Sequence, residues 1–203
     1  MIAPRARAAS SGPIRILAFG DSLTAGYGLE DTREAFPPQL ERALRAKKYD
    51  VTVIQGGVSG DTTSGGVSRL TWSLAAKPDA VILELGANDG LRAVDPQVTE
   101  NNLRTIVTRI TAAGIPLLLT GMLAPPNLGR DYGQRYKQSF EKVAQETGVL
   151  FYPFFLEDVA AVPALNQPDG LHPTEEGVAV VVKNILPSVE KLIAQVKDNA
   201  KAK

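Results

Sequence analysis

Five short runs of the chain, residues 14–19, 51–54, 80–85, 115–120 and 149–152, are almost wholly apolar, and they alternate with stretches that have helical spacing. A strand with one wet face alternates apolar and polar residues, so a strand apolar at every position has both faces covered. A parallel sheet meets that condition, because its right-handed crossovers lay helices over both faces. The pattern predicts a three-layer α/β/α sandwich with a five-stranded sheet and helices over about residues 34–47, 63–76, 98–113, 132–147 and 174–196. Pro78, Gly114 and Gly148 stand where helices give way to strands. With 203 residues, 44% of them hydrophobic, one core accounts for the chain. The expected organisation is one domain over residues 14–197, between flexible tails at residues 1–13 and 198–203 that contain no apolar run.

Composition removes several classes of function. Lys plus Arg (22) equals Asp plus Glu (22), so the basic footprint of a nucleic-acid partner is missing. The absence of cysteine excludes disulfides, thiolate metal sites and cysteine nucleophiles. No apolar run has the length of a membrane span, so a soluble protein without stable membrane insertion is expected. The small residues of Arg5-Ala6-Arg7-Ala8-Ala9-Ser10 fit the remnant of a cleaved leader, which would place the protein in the periplasm; otherwise the cytoplasm is expected. Asp21, Asp61 and Asp89 lack metal-ligand spacing, and no metal or cofactor is expected. The pattern does not indicate an oligomeric state. Trp72, with Leu70 and Leu74, reads most simply as a helix face packed on the sheet. The chain has a single histidine, His172, so any mechanism that needs an imidazole must use it.

In open α/β sheets ligands bind beyond the carboxyl ends of the strands, and the unusual polar residues fall in the loops there. These loops carry Gly20-Asp21-Ser22-Leu23-Thr24, Gly56-Gly57-Val58-Ser59-Gly60-Asp61-Thr62, Gly86-Ala87-Asn88-Asp89 and Asp169-Gly170-Leu171-His172-Pro173. Each alone is an ordinary turn sequence. Together they bring a hydroxyl, a backbone glycine, a side-chain amide and an Asp/His pair to one sheet edge, which are the parts acyl transfer needs. A serine hydroxyl needs a base, and the base needs a carboxylate to fix its tautomer. His172 is the available base for Ser22, and Asp169 lies three residues before it. The tetrahedral intermediate needs preorganised donors, for which the N–H groups of Ser22 and Gly60 and the amide of Asn88 are the candidates.

These segments, with Ala25-Gly26-Tyr27-Gly28 after the first and Glu84-Leu85-Gly86-Ala87-Asn88-Asp89-Gly90 around the third, resemble the SGNH hydrolase superfamily, also called GDSL esterases. Within it the chain is similar to the bacterial branch of multifunctional thioesterases, lysophospholipases and arylesterases, over about residues 14–192. The resemblance implies a flavodoxin-like fold, Ser22 as nucleophile, His172 as general base, Asp169 as its orienting carboxylate, and Ser22, Gly60 and Asn88 as oxyanion donors. It also implies a small-molecule ester or thioester substrate.

The loop Gly90-Leu91-Arg92-Ala93-Val94-Asp95 and the segment Met122 to Gly129 are expected to form two walls of an acyl pocket. Asp21, Asp89, Gly90, Leu91, Leu123 and Pro125 are the candidate substrate contacts. Short loops leave little material for a lid, so an open groove for aryl and short-to-medium acyl esters is expected, with acyl thioesters and lysophospholipids as further candidates. Two alternatives stand beside this reading. One is an acyltransferase using the same acyl-enzyme; the other is a non-catalytic flavodoxin-like binding module.

Overall fold

The computed structural model describes residues 12–201. Strands β1 (Ile14–Gly20), β2 (Val51–Gly57), β3 (Ala80–Glu84), β4 (Leu117–Thr120) and β5 (Leu150–Tyr152) form one sheet in the order β2-β1-β3-β4-β5. All neighbouring pairs are parallel. Every residue of β3 and β4 is buried, so the sheet is covered on both faces, as uniform apolarity requires.

The long helices are α2 (Phe36–Ala46), α3 (Thr63–Leu74), α5 (Pro96–Ala112), α6 (Arg130–Thr147) and α7 (Glu175–Lys201), with one-turn helices α1 (Ser22–Ala25) and α4 (Ala87–Leu91) between strands. Helix α2 packs on α7, whereas α3, α5 and α6 pack in series. On α5 the buried Leu103, Ile106, Val107 and Ile110 recur at helical spacing and form one stripe toward the sheet. Gly148 ends α6 in the left-handed region at φ 67°, the conformation a glycine cap supplies. Among the described residues no helix is long and apolar enough to cross a membrane.

Several boundaries differ from expectation for identifiable reasons. β2 continues beyond Ile54 because Gln55, Gly56 and Gly57 pair with Ala18, Phe19 and Gly20. The single turns α1 and α4 are too short to produce a periodic signal. Helix α7 runs through Pro187 and on to Lys201, because no glycine or proline interrupts residues 188–201. Residues 198–201, expected in a tail, are therefore helical; residues 202–203 and most of the expected N-terminal tail lie outside the described residues. Trp72 is 80% exposed while Leu70 is buried. Two residues apart on a helix are about 200° apart around its axis, so only one of them can face the sheet.

Candidate active site

Strand β1 ends at Gly20 because nothing larger fits there: a Cβ would lie 2.1 Å from Thr24 Oγ1 and 2.4 Å from the Glu84 carboxylate. The chain then turns at once into α1. Asp21 caps that turn by accepting the Leu23 N–H at 3.0 Å. Gly26 closes it at φ 78°. Ser22 thus occupies the first position of a single turn at the carboxyl end of a central strand.

His172 reaches Ser22 from the far end of the chain. Its Nε2 lies 2.9 Å from Ser22 Oγ, and its Nδ1 lies 2.6 Å from Asp169 Oδ2. The other Asp169 oxygen accepts the backbone N–H groups of Leu171 at 2.9 Å and His172 at 3.0 Å. Burial pushes the Asp169 pKa up, but the bond from the His172 ring, the two backbone N–H groups and the His172 charge outweigh it and hold it at about 2. An ionised carboxylate only accepts, so Nδ1 carries the proton and Nε2 is left to accept from the serine hydroxyl. The carrying segment is a loop ahead of α7, tied back on itself by Gln167 N–H to His172 O at 2.7 Å and Thr174 N–H to Leu165 O at 3.0 Å. Gln167 also donates to Tyr27 O at 2.8 Å, and the Tyr27 ring centroid sits 4.8 Å from that of His172. The histidine loop is thereby fastened to the serine loop.

Gly60 lies in a turn closed by Asp61 N–H to Val58 O at 3.0 Å, with φ 79° that suits glycine. The Asn88 amide donates to Asp61 O at 2.9 Å and to Asp21 Oδ2 at 3.2 Å. Both of its hydrogens therefore have partners. Beneath this contact the fully buried Glu84 accepts from Asp21 N–H at 3.2 Å and Thr24 Oγ1 at 2.7 Å, while its Oε1 has no partner among the described residues. Burial, reinforced by the nearby Asp21 charge, pushes the Glu84 pKa well up. Burial likewise raises Asp21 to about 6 against the opposing bonds from Leu23 and Asn88.

A mostly apolar cavity of about 500 Å³ opens beside Ser22 and His172. Leu91, Leu123 and Pro125 line it, together with Asn88. Asp21, Asp89 and Gly90 do not, and here the expectation is corrected. Asp21 is fully buried and committed to Leu23 and Asn88. Asp89 spends its carboxylate on Thr63, through the backbone N–H at 2.9 Å and Oγ1 at 2.5 Å, and on Thr99 at 3.2 Å. Gly90 is buried behind the wall, close to Tyr136 and Pro125. The third wall, with Phe154, Leu156, Ala160 and Ala161, comes from the segment after β5 and was not anticipated. The apolar Phe154-Phe155-Leu156 was its only signal. Glu84 was also missed, although one carboxylate inside an apolar strand is a recognisable anomaly. Among the described residues no group of three acidic or histidine side chains could hold a metal.

The model of the GDSL-like lipase/acylhydrolase family matches residues 18–180. The arylesterase of Vibrio mimicus is 41% identical over 170 residues, 83% of this chain and 84% of that protein. The thioesterase 1/protease 1/lysophospholipase L1 of Escherichia coli is 36% identical over 188 residues, 92% of this chain and 88% of its own length. The crystal structure of AlinE4, an SGNH-hydrolase family esterase, superposes with a TM-score of 0.76 at 43% identity, covering 90% of this chain and 97% of that one.

Proposed function

Because the chain belongs to the GDSL-like lipase/acylhydrolase family and is a serine ester hydrolase, we propose that it cleaves aryl and short-to-medium acyl esters through an acyl group carried on Ser22. The observation that carries this is the pair of contacts at His172, 2.9 Å to Ser22 Oγ and 2.6 Å to Asp169. His172 Nε2 takes the Ser22 proton as Oγ adds to the ester carbonyl, and Asp169 stabilises the imidazolium that forms. The N–H groups of Ser22 and Gly60 and the Asn88 amide receive the negative oxygen. His172 then protonates the departing alcohol or phenol. A water, deprotonated by the same nitrogen, releases the acid from Ser22 by the reverse sequence.

The apolar cavity beside Ser22 supports an acyl or aryl group as the part of the substrate held there. The name of the Escherichia coli relative brings thioesters and lysophospholipids into the same candidate range. Hydrolysis of p-nitrophenyl acetate, octanoate and palmitate, with Ser22→Ala as the blank, tests the reading. Turnover should peak at acetate or octanoate and vanish in the variant; fastest turnover on palmitate would overturn the proposed range, and an active Ser22→Ala protein would overturn the mechanism.

A further inference from the structure

Arg69 lies on α3, away from the cavity, and its side chain is only 16% exposed. Its guanidinium makes three short bonds to other elements, Nε to Asp61 Oδ2 at 2.6 Å, Nη1 to Gly56 O at 2.9 Å and Nη2 to Gly20 O at 2.7 Å, and a longer one from Nη1 to Ser73 Oγ on its own helix at 3.5 Å. The guanidinium carbon rests 4.0 Å from the centroid of the Phe19 ring. The partners are the carboxyl ends of β1 and β2 and the residue that follows Gly60. Gly20 is two residues before Ser22, and its carbonyl also accepts the Val58 N–H at 3.1 Å from the Gly60 turn. Asp61 is the residue whose carbonyl holds the Asn88 amide at 2.9 Å. One rigid, planar group thus touches the serine loop and the Gly60 loop directly and Asn88 through Asp61.

We propose that Arg69 is a positioning residue that sets the spacing between the oxyanion donors of Ser22, Gly60 and Asn88; the inference rests on the serine-hydrolase reading above. The planar fork matters because its N–H directions are fixed relative to one another. A lysine at position 69 supplies a single point of charge, so it can hold Asp61 or a strand carbonyl but cannot fix the distance between them. A shift of about 1 Å between groups that act together lowers turnover by roughly 10²-fold. Because the donors act on the oxyanion, which exists only in the transition state and intermediates, the loss falls on kcat and not on KM.

The test uses Arg69→Lys and the pair Arg69→Met/Asp61→Asn, which removes both charges together and leaves no unpaired carboxylate. Ser22 sites are first counted in each protein by fluorophosphonate titration, so that misfolded molecules drop out. Turnover per titrated site should fall about 10- to 100-fold with KM within about twofold, and the inhibition constant of an alkyl boronate, a tetrahedral mimic, should rise by the same factor. Turnover per site within twofold of the parent in both variants, with only Tm lowered, would reduce Arg69 to a structural anchor and overturn the proposal. A rise in KM alone would overturn it as well. If the double variant does not fold, Arg69→Lys decides. Failure of the parent protein itself to be labelled at Ser22 would instead remove the serine-hydrolase premise.

Discussion

Replacing Asp169 by asparagine should do more harm to catalysis than replacing it by alanine, although it should do less harm to the loop. Asp169 Oδ1 accepts two backbone N–H groups, from Leu171 at 2.9 Å and His172 at 3.0 Å, and Oδ2 faces His172 Nδ1 at 2.6 Å. An asparagine has one acceptor oxygen, and the two backbone donors claim it, since the reverse placement would set an NH₂ against both. The amide NH₂ then points at Nδ1 and donates to it, which moves the ring proton to Nε2, 2.9 Å from Ser22 Oγ. In that tautomer the imidazole cannot take the serine proton. By analogy with the same substitution in serine proteases, kcat falls about 10⁴-fold, or about 5.4 kcal/mol at 1.36 kcal/mol per decade. Alanine abolishes the two backbone bonds but leaves water to accept from Nδ1, so the productive tautomer survives and the loss is smaller than with asparagine. Thermal unfolding and p-nitrophenyl ester turnover measured together should show the two orders crossing: Asp169→Asn higher in Tm, lower in kcat. An asparagine variant as active as the alanine variant, or within tenfold of the parent, would refute the tautomer reasoning.

Three further outcomes follow from the same geometry. Asn88→Ala should lower kcat about 10²- to 10³-fold with little change in KM, the effect of removing one oxyanion donor; steady-state kinetics in which KM alone rises would contradict that role. Asp21 and Glu84 have raised pKa values because burial favours their neutral forms, so their contribution to stability is fully present below their ordinary values near 4 and is lost as pH rises through the higher folded values, about 6 for Asp21. Glu84→Gln, which copies the neutral acid, should therefore lose less Tm than the parent between pH 5 and pH 8, and an unchanged slope would contradict the assignment. Ala160→Trp should fill part of the cavity and cut the octanoate-to-acetate activity ratio about tenfold, as expected when room for one or more methylenes is lost; an unchanged ratio would place the acyl chain elsewhere.

The strands were legible because β3, β4 and most of β1 are covered on both faces and their sequences are accordingly apolar apart from Arg15, Glu84 and Thr120. Ser22, Asp169 and His172 were legible because a single histidine and four motif-bearing strand ends leave few ways to assemble a nucleophile and a base. The direction in which a loop carboxylate points left no such mark. Asp21 and Asp89 adjoin motif residues on the sequence, yet both turn inward, Asp21 to the unpaired Leu23 N–H of the turn α1 and Asp89 to the Thr63 N–H that opens α3, because the first N–H groups of a helix have no partner within it. The wall formed by Phe154, Leu156, Ala160 and Ala161 belongs to a segment without period or motif, so only the folded chain brings it to Ser22. Arg69 reads as an ordinary surface charge on a helix until the carbonyl ends of β1 and β2 are seen to converge on it.

In the proposed mechanism hydrolysis passes through an acyl group on Ser22. Mixing the protein with p-nitrophenyl octanoate, quenching in acid during the first turnover and mapping the peptides by mass tests it directly. An octanoyl group is expected on the peptide that carries Ser22, formed as fast as the nitrophenolate burst and absent from Ser22→Ala. Steady turnover with no covalent adduct, or an adduct on any other residue, would contradict it.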